Sequence, residues 1–127
     1  MIAPFTFNTT AGITFGSGTS ARIADHAGLL GARVLLVTDK GLVAAGLVEP
    51  AVENLKAAGI AVEIFDDVAA DPARAIVMAA AERASEMKAT GIIGLGGGSS
   101  LDVAKIAALL AGSGEDLDEA WGVGKAK

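Results

Sequence analysis

The sequence contains no cysteine and no tyrosine, and aromatic residues make up only 4% of its 127 residues. The lack of cysteine excludes a disulfide framework and any thiolate-ligated metal site. The scarcity of aromatic residues argues against a surface on which nucleic-acid bases could stack. The net charge is -5, and because acidic and basic residues are interspersed, there is no basic stripe for a phosphate backbone. We therefore expect no nucleic-acid partner.

Long apolar runs are also missing. No stretch reaches the ~18 apolar residues needed to span a bilayer, and the N-terminal M-I-A-P-F-T-F-N lacks the basic and apolar regions of a secretory signal. We expect a soluble, cytoplasmic protein with no membrane partner. What the chain does have is 17 glycines and 52% hydrophobic residues. This composition is typical of an α/β domain, and the length predicts a single domain over residues 1–127.

Apolar residues follow two different periods along the chain. Near the N-terminus they alternate with polar residues on either side of N-T-T-A-G, which predicts a β-hairpin that carries Phe5, Phe7, Ile13 and Phe15. Continuous apolar runs then predict buried parallel strands, and amphipathic segments between them predict helices. The strands are expected at 33–38, 60–65 and 92–95, and the helices at 19–30, 48–58, 72–88, 99–110 and, for one turn, 116–121.

Particular residues predict where these elements begin. Thr19 or Ser20 is expected to cap the first helix, and Asp71 followed by Pro72 is expected to start the third. The β-α-β-α-β-α order predicts a doubly wound, Rossmann-like parallel sheet with helices on both faces. In a flavodoxin-like strand order, 2-1-3, the first and third strands would be neighbours. Three strands leave sheet edges exposed, so we expect this chain to be a fragment of a longer protein.

The loop G-L-G-G-G-S-S-L-D-V-A-K at 94–105 leads from the third strand into the last helix. Glycine lets the backbone approach an anion closely, and a helix N-terminus offers unpaired N–H groups at the positive end of its dipole. Gly96, Gly97, Gly98 and Ser99 therefore predict a phosphate cradle.

The loop matches neither of the two best-known phosphate motifs. A Walker loop has lysine directly after its last glycine, whereas Lys105 comes two helical turns later. The G-x-G-x-x-G pattern would need glycine at position 99, where the chain has serine. The alternative is a plain strand-to-helix turn in which Ser99 and Asp102 form a capping box.

Asp39 directly follows the first predicted strand, 57 positions before Gly96. Ligands of open α/β sheets bind at the carboxyl ends of the strands. A carboxylate there could accept both ribose hydroxyls of an adenosine and would repel a 2′-phosphate. The alternative is that Asp39 only caps a helical turn at 41–45. With neighbouring first and third strands, one dinucleotide could bridge Asp39 and the glycine loop.

Two strings, V-T-D-K at 37–40 and G-G-G-S-S-L-D-V-A-K at 96–105, resemble the iron-containing (group III) alcohol dehydrogenases. Shorter matches are the F-x-F…I-T-F-G-S-G segment at 5–18, D-P at 71–72 and G-V-G-K at 122–125. The resemblance implies a Rossmann-like, dehydroquinate synthase-like domain that binds the dinucleotide, followed by an all-helical domain. In that family a divalent iron, sometimes zinc, polarises the oxygen of the alcohol or aldehyde, and hydride passes between the carbinol carbon and NAD.

The resemblance also implies roles for residues. Gly97, Gly98 and Ser99 would bind the pyrophosphate, Asp39 would contact the adenosine ribose and favour NAD over NADP, and Asp102 would lie on the nicotinamide side. The family's metal ligands, one Asp and three His, lie in the helical domain. This chain has one histidine, His26, so we expect no metal ligand and no catalytic residue on it. Acidic pairs such as Asp66-Asp67 are interpreted as solvated turns.

The expected function is therefore the NAD-binding half of a metal-dependent alcohol dehydrogenase acting on a small alcohol or aldehyde, with Fe²⁺ or Zn²⁺ supplied by ligands outside this chain. The chain alone is expected to be inactive, and the resemblance implies a homodimer paired through the N-terminal hairpin. Three alternatives stay open. They are a non-catalytic nucleotide-binding module, a flavodoxin-like domain that binds nothing, and a related enzyme (glycerol dehydrogenase, maleylacetate reductase or a dehydroquinate synthase-like lyase).

Overall fold

The structure, a computed structural model, describes residues 2–114 and 116–118. Two 3-10 helices come first, and strands then alternate with α-helices. In chain order the elements are the 3-10 helices Thr19–His26 and Gly28–Leu30, β1 Arg33–Val37, α1 Lys40–Ala44, α2 Glu49–Ala57, β2 Ala61–Phe65, α3 Arg74–Glu86, β3 Gly91–Gly94 and α4 Gly98–Ser113. The helical turn predicted at 116–121 and the G-V-G-K string at 122–125 lie partly or wholly outside the described residues. Within the described part of the chain, every helix is too short or too polar to cross a bilayer.

The three strands form one parallel sheet in the order β2-β1-β3, which is the flavodoxin-like 2-1-3 order considered above. β1 is central, with Leu36 opposite Ile64 of β2 and Ile93 of β3. Val34 to Val37 of β1, and Thr38 directly after it, are 0% exposed, as the continuous apolar run predicts. β2 is an edge strand and is only partly buried, which differs from the predicted fully buried strand.

Side chains of β1 alternate between two hydrophobic cores, one on each face of the sheet. Leu35 and Val37 pack against α3 and α4, and Val34 and Leu36 pack against α2 and the first 3-10 helix. Small alanines let α3 and α4 pack closely together; they are Ala80, Ala81, Ala84, Ala104 and Ala107. Helices therefore cover both faces, and the predicted doubly wound α/β fold is confirmed.

The predicted N-terminal hairpin is wrong. Residues 2–15 contain no strand, and the side chains of Phe5, Phe7, Ile13 and Phe15 are 79–99% exposed. A two-stranded ribbon is marginally stable unless one of its faces is buried. Because these four side chains find no cover among the described residues, no buried apolar area offsets the entropy cost of ordering the strands.

Two predicted helix starts also differ. The segment 19–30 forms two 3-10 helices separated at Ala27, and the hydroxyl of Thr19 donates to the carbonyl of Gly16 instead of capping a helix. α3 begins at Arg74 with Ala73 as its N-cap. Asp71 has φ +48°, in the left-handed region, so it lies within the loop before α3 and does not have the extended conformation of an N-cap residue.

Gly91, the first residue of β3, provides a test of the packing between the sheet and the 3-10 segment. A Cβ on Gly91 would lie 2.6 Å from Cβ and 2.9 Å from the carbonyl oxygen of Leu30, where backbone would have to move. Gly91→Ala should therefore lower the free energy of unfolding by about 1–3 kcal/mol. Urea unfolding would measure the change.

Gly112 is the matched control, because a Cβ there meets no atom within 4 Å and the residue lies in α4. Gly112→Ala should be neutral or stabilising by up to ~1 kcal/mol, as expected for glycine in a helix. Equal losses in both variants would contradict this account of the close approach at Gly91.

Candidate functional site

The carboxyl ends of β1 and β3 lie side by side. Val37 pairs with Gly94, and the amide of Leu95 donates to the carbonyl of Val37 at 2.9 Å. The segments that follow β1 and β3 therefore leave the sheet side by side at its carboxyl edge. Ligands of open α/β sheets bind at this edge. A cavity of about 440 Å³ lies between the two segments. Its lining residues are Asp39, Lys40, Gly41, Val68, Ala69, Ala70, Gly97, Gly98, Ser99 and Ser100.

Asp39 has a local structural role at this cavity. Its backbone is extended, and its Oδ1 accepts a hydrogen bond of 2.9 Å from the amide of Leu42, which makes it the N-cap of α1. Asp39 therefore caps the helical turn, as the alternative given above for this residue expected. A carboxylate has two oxygens and about four acceptor positions. Capping therefore leaves the half-buried side chain able to accept further hydrogen bonds at the cavity.

The glycines of the loop fall into two groups. Gly96 has φ +147°, and a Cβ there would lie 2.9 Å from Oγ of Ser100 and 3.1 Å from Cδ1 of Leu42, so the fold itself requires glycine. A Cβ on Gly97 or Gly98 would meet no atom within 4 Å. Packing among the described residues does not require glycine at those two positions, and the backbone there is open to a ligand.

α4 begins at Gly98 with Gly97 as its N-cap and no side-chain cap, so the alternative in which Ser99 and Asp102 form a capping box is not observed. Gly97 is extended, with φ -79° and ψ -172°, and its carbonyl accepts from the amide of Leu101. The first amides of a helix have no intrahelical partner. Without a side-chain cap, the start of α4 offers donors to an anion in the cavity.

Asp102 does not line this cavity. It lies one helical turn beyond Ser99 on α4, is exposed, and borders a second cavity of about 260 Å³ between α4 and the start of α3. That cavity is lined by Pro72, Arg74, Val77, Asp102, Val103, Ile106 and Leu117. Lys105 and His26 are exposed. Among residues 2–114 and 116–118, no group of three or more His, Asp and Glu side chains is placed to hold a metal ion.

Sequence reasoning missed two parts of the site. The wall formed by residues 68–70 follows β2, so the rule that placed Asp39 at a strand end could have found it. No pattern near Lys40 in the sequence indicated that its ammonium pairs with Asp66 and Asp67. Its ammonium contacts Oδ1 of Asp67 and lies 3.5 Å from Oδ1 of Asp66, so these aspartates are ion-paired and not simply solvated. The hydrogen bond from Lys40 to Asp67 is the main reason why the pKa of Lys40 is raised above its usual value.

Comparison with known proteins identifies the family. The family model for iron-containing alcohol dehydrogenases matches residues 10–127. A 4-hydroxybutyrate dehydrogenase from Cupriavidus necator is 44% identical over 79 residues, which is 62% of this chain and 20% of that protein. The structure of an NADH-dependent butanol dehydrogenase A from Thermotoga maritima superposes with a TM-score of 0.82 at 30% identity, over 97% of this chain and 32% of that one.

A sulfoacetaldehyde reductase from Bifidobacterium kashiwanohense, solved in complex with NAD⁺, matches with a TM-score of 0.72 at 27% identity. The match covers 96% of this chain and 33% of that chain. The chain thus spans between a fifth and a third of the length of these relatives.

The capping role of Asp39 predicts how its variants differ in stability. Asp39→Ala removes the acceptor for the amide of Leu42 and should cost about 1 kcal/mol, whereas Asp39→Asn keeps a side-chain oxygen and should cost little. Thermal unfolding of the two variants would show the difference. A loss as large for Asn as for Ala would mean that the charge, and not the cap, stabilises this turn.

Proposed function

The chain belongs to the iron-containing alcohol dehydrogenase family, and we propose that it is the NAD-binding half of a metal-dependent alcohol dehydrogenase. The proposed reaction moves hydride between a small alcohol or aldehyde and the nicotinamide ring. The observation that carries this proposal is that Asp39 and the open glycines Gly97 and Gly98 line one and the same cavity. That arrangement suits one dinucleotide, which would contact both strand ends.

In this proposal the adenosine ribose lies at Asp39. The carboxylate would accept the two ribose hydroxyls, and it would repel the 2′-phosphate of NADP. The half-buried position of Asp39 on the cavity supports this role, and Oδ1 alone is used in the cap of α1. NAD is therefore the proposed cofactor.

The pyrophosphate would lie over Gly97, Gly98 and Ser99. The uncapped start of α4 supplies amide donors and the positive end of the helix dipole, both of which stabilise a phosphate. Gly96 keeps the loop in its left-handed conformation and so sets its shape. Asp102, one turn further along α4 and outside the cavity, is proposed to face the nicotinamide side.

A bound iron or zinc ion would supply a Lewis acid for the substrate oxygen. The described residues provide no group that fits such an ion, so no step through a metal follows from this chain, and we propose that the chain alone binds the cofactor without turnover. A cytoplasmic location is part of the same proposal.

We test cofactor binding by calorimetric titration of NAD into the chain and into Gly97→Val. Because a side chain at position 97 enters open space, the variant should fold normally, but it should obstruct the close approach of the pyrophosphate and weaken NAD binding at least tenfold, about 1.4 kcal/mol. Gly112→Ala, far along α4, should bind NAD like the parent chain. Unchanged affinity in Gly97→Val would refute the pyrophosphate position, and no binding by the parent would refute the proposed function.

We also propose that the protein is a homodimer paired through residues 5–15. Four large apolar side chains are exposed there, and their burial between two copies would be favourable. Phe7→Ser combined with Phe15→Ser should shift the chain from dimer to monomer in sedimentation velocity experiments. A parent chain that sediments as a monomer at all concentrations would contradict this proposal.

A further inference from the structure

We propose that Lys40 is a cofactor-specificity residue, and that Asp66 and Asp67 hold its ammonium away from the position of a 2′-phosphate. Discrimination against NADP would then depend on this ion pair as well as on Asp39. The inference rests on the proposed function, because it concerns the ribose end of the same NAD site.

Lys40 lines the cavity, but its ammonium is ion-paired with residues of another segment. It directly follows Asp39 and lines the cavity with it, yet its ammonium is engaged by carboxylates of the segment after β2. Asp39 and Asp67 also pair through an isolated antiparallel bridge, which holds the two segments side by side. Lys40 therefore lies beside Asp39 at the cavity, but its ammonium is engaged by two carboxylates that are not part of the lining of that cavity.

The charges at this rim do not favour a phosphate. The carboxylates of Asp39, Asp66 and Asp67 outnumber the ammonium of Lys40, so the rim carries a net charge of about -2. A phosphate monoester carries roughly -1.5 to -2 at pH 7. An ammonium released from Asp66 and Asp67 would be a good phosphate partner, and only Asp39 would then oppose it.

Releasing Lys40 should not disturb the fold. The side chains of Lys40, Asp66 and Asp67 are 71%, 38% and 64% exposed, and exposed ion pairs contribute little to stability. Other charges lie near the two aspartates. Glu82, Arg83 and Glu86 of α3 line a neighbouring cavity with them, and Nε of Arg83 is 2.7 Å from Oε2 of Glu63. Glu82 and Glu86 are therefore the carboxylates to which a released Lys40 would turn if it did not stay at the cavity of Asp39.

The experiment measures the affinities of the full chain for NAD and NADP by calorimetry at low salt, where exposed charges are least screened. Replacing both Asp66 and Asp67 by Asn should lower the ratio of the NADP to the NAD dissociation constant by roughly tenfold. Adding Lys40→Met to the double variant should restore most of the parent ratio. Lys40→Met alone should change the ratio much less, since the ammonium is already occupied in the parent chain.

Asp25→Asn is the matched control. It removes the same charge from an exposed ion pair, with Arg22 at 3.0 Å, on the first 3-10 helix and outside the lining of the cavity. This variant should keep the parent ratio. If the double variant does not fold, the single variant Asp67→Asn replaces it, because it removes the partner in direct contact with Lys40. This variant should also lower the ratio of the NADP to the NAD dissociation constant, but by less.

Three outcomes would overturn the inference. An unchanged ratio in the double variant, with NAD still bound, would mean that Lys40 turns to Glu82 or Glu86 or plays no part, and the proposed function would stand. A lowered ratio that persists after Lys40→Met would assign the effect to the general field of the carboxylates. A parent chain that binds neither nucleotide would overturn both this inference and the proposed function.

Discussion

The parallel pairing of β1 with β3 is the constraint on which the rest of the structure depends. Val37 lies opposite Gly94, so Asp39 and the glycine loop leave the sheet at the same edge although they are far apart in sequence. This register is held by the burial of β1, whose side chains enter the cores on both faces of the sheet. A shift by one residue would exchange the two faces and displace Asp39 from the cavity.

The same chain uses glycine for two different physical reasons. At Gly91 and Gly96 a side chain would collide with Leu30 or with Ser100, so these residues serve the packing of the sheet against its surroundings. At Gly97 and Gly98 the space is open, and the benefit of glycine lies in the exposed backbone at the start of α4. Within three consecutive positions of one loop, packing requires glycine at the first, and the backbone is open at the next two.

The rim of the cavity at Asp39 and Lys40 combines structural and electrostatic functions in few residues. Asp39 caps α1 and still presents its carboxylate, while Lys40 is engaged by Asp66 and Asp67. Because Lys40, Asp66 and Asp67 are exposed, their ion pairs contribute little to stability, and the main effect of these pairs is on the charge at the rim of the cavity. Substitutions can therefore alter this charge with little effect on the stability of the fold.

Local patterns in the sequence were sufficient for the three strands of the parallel sheet and for the α/β fold class, and the flavodoxin-like 2-1-3 order considered from them is the observed order. Continuous apolar runs predicted β1 and β3 to within one residue, because a strand buried on both faces must be apolar throughout. Only the tertiary structure decided the fate of residues 2–15 and the partner of Lys40. Each of these depends on contacts or burial between segments distant in sequence. The alternating pattern at 5–15 does not reveal that no surface covers its apolar side chains. Local periodicity also does not reveal that the carboxylate partner of Lys40 lies 27 positions away.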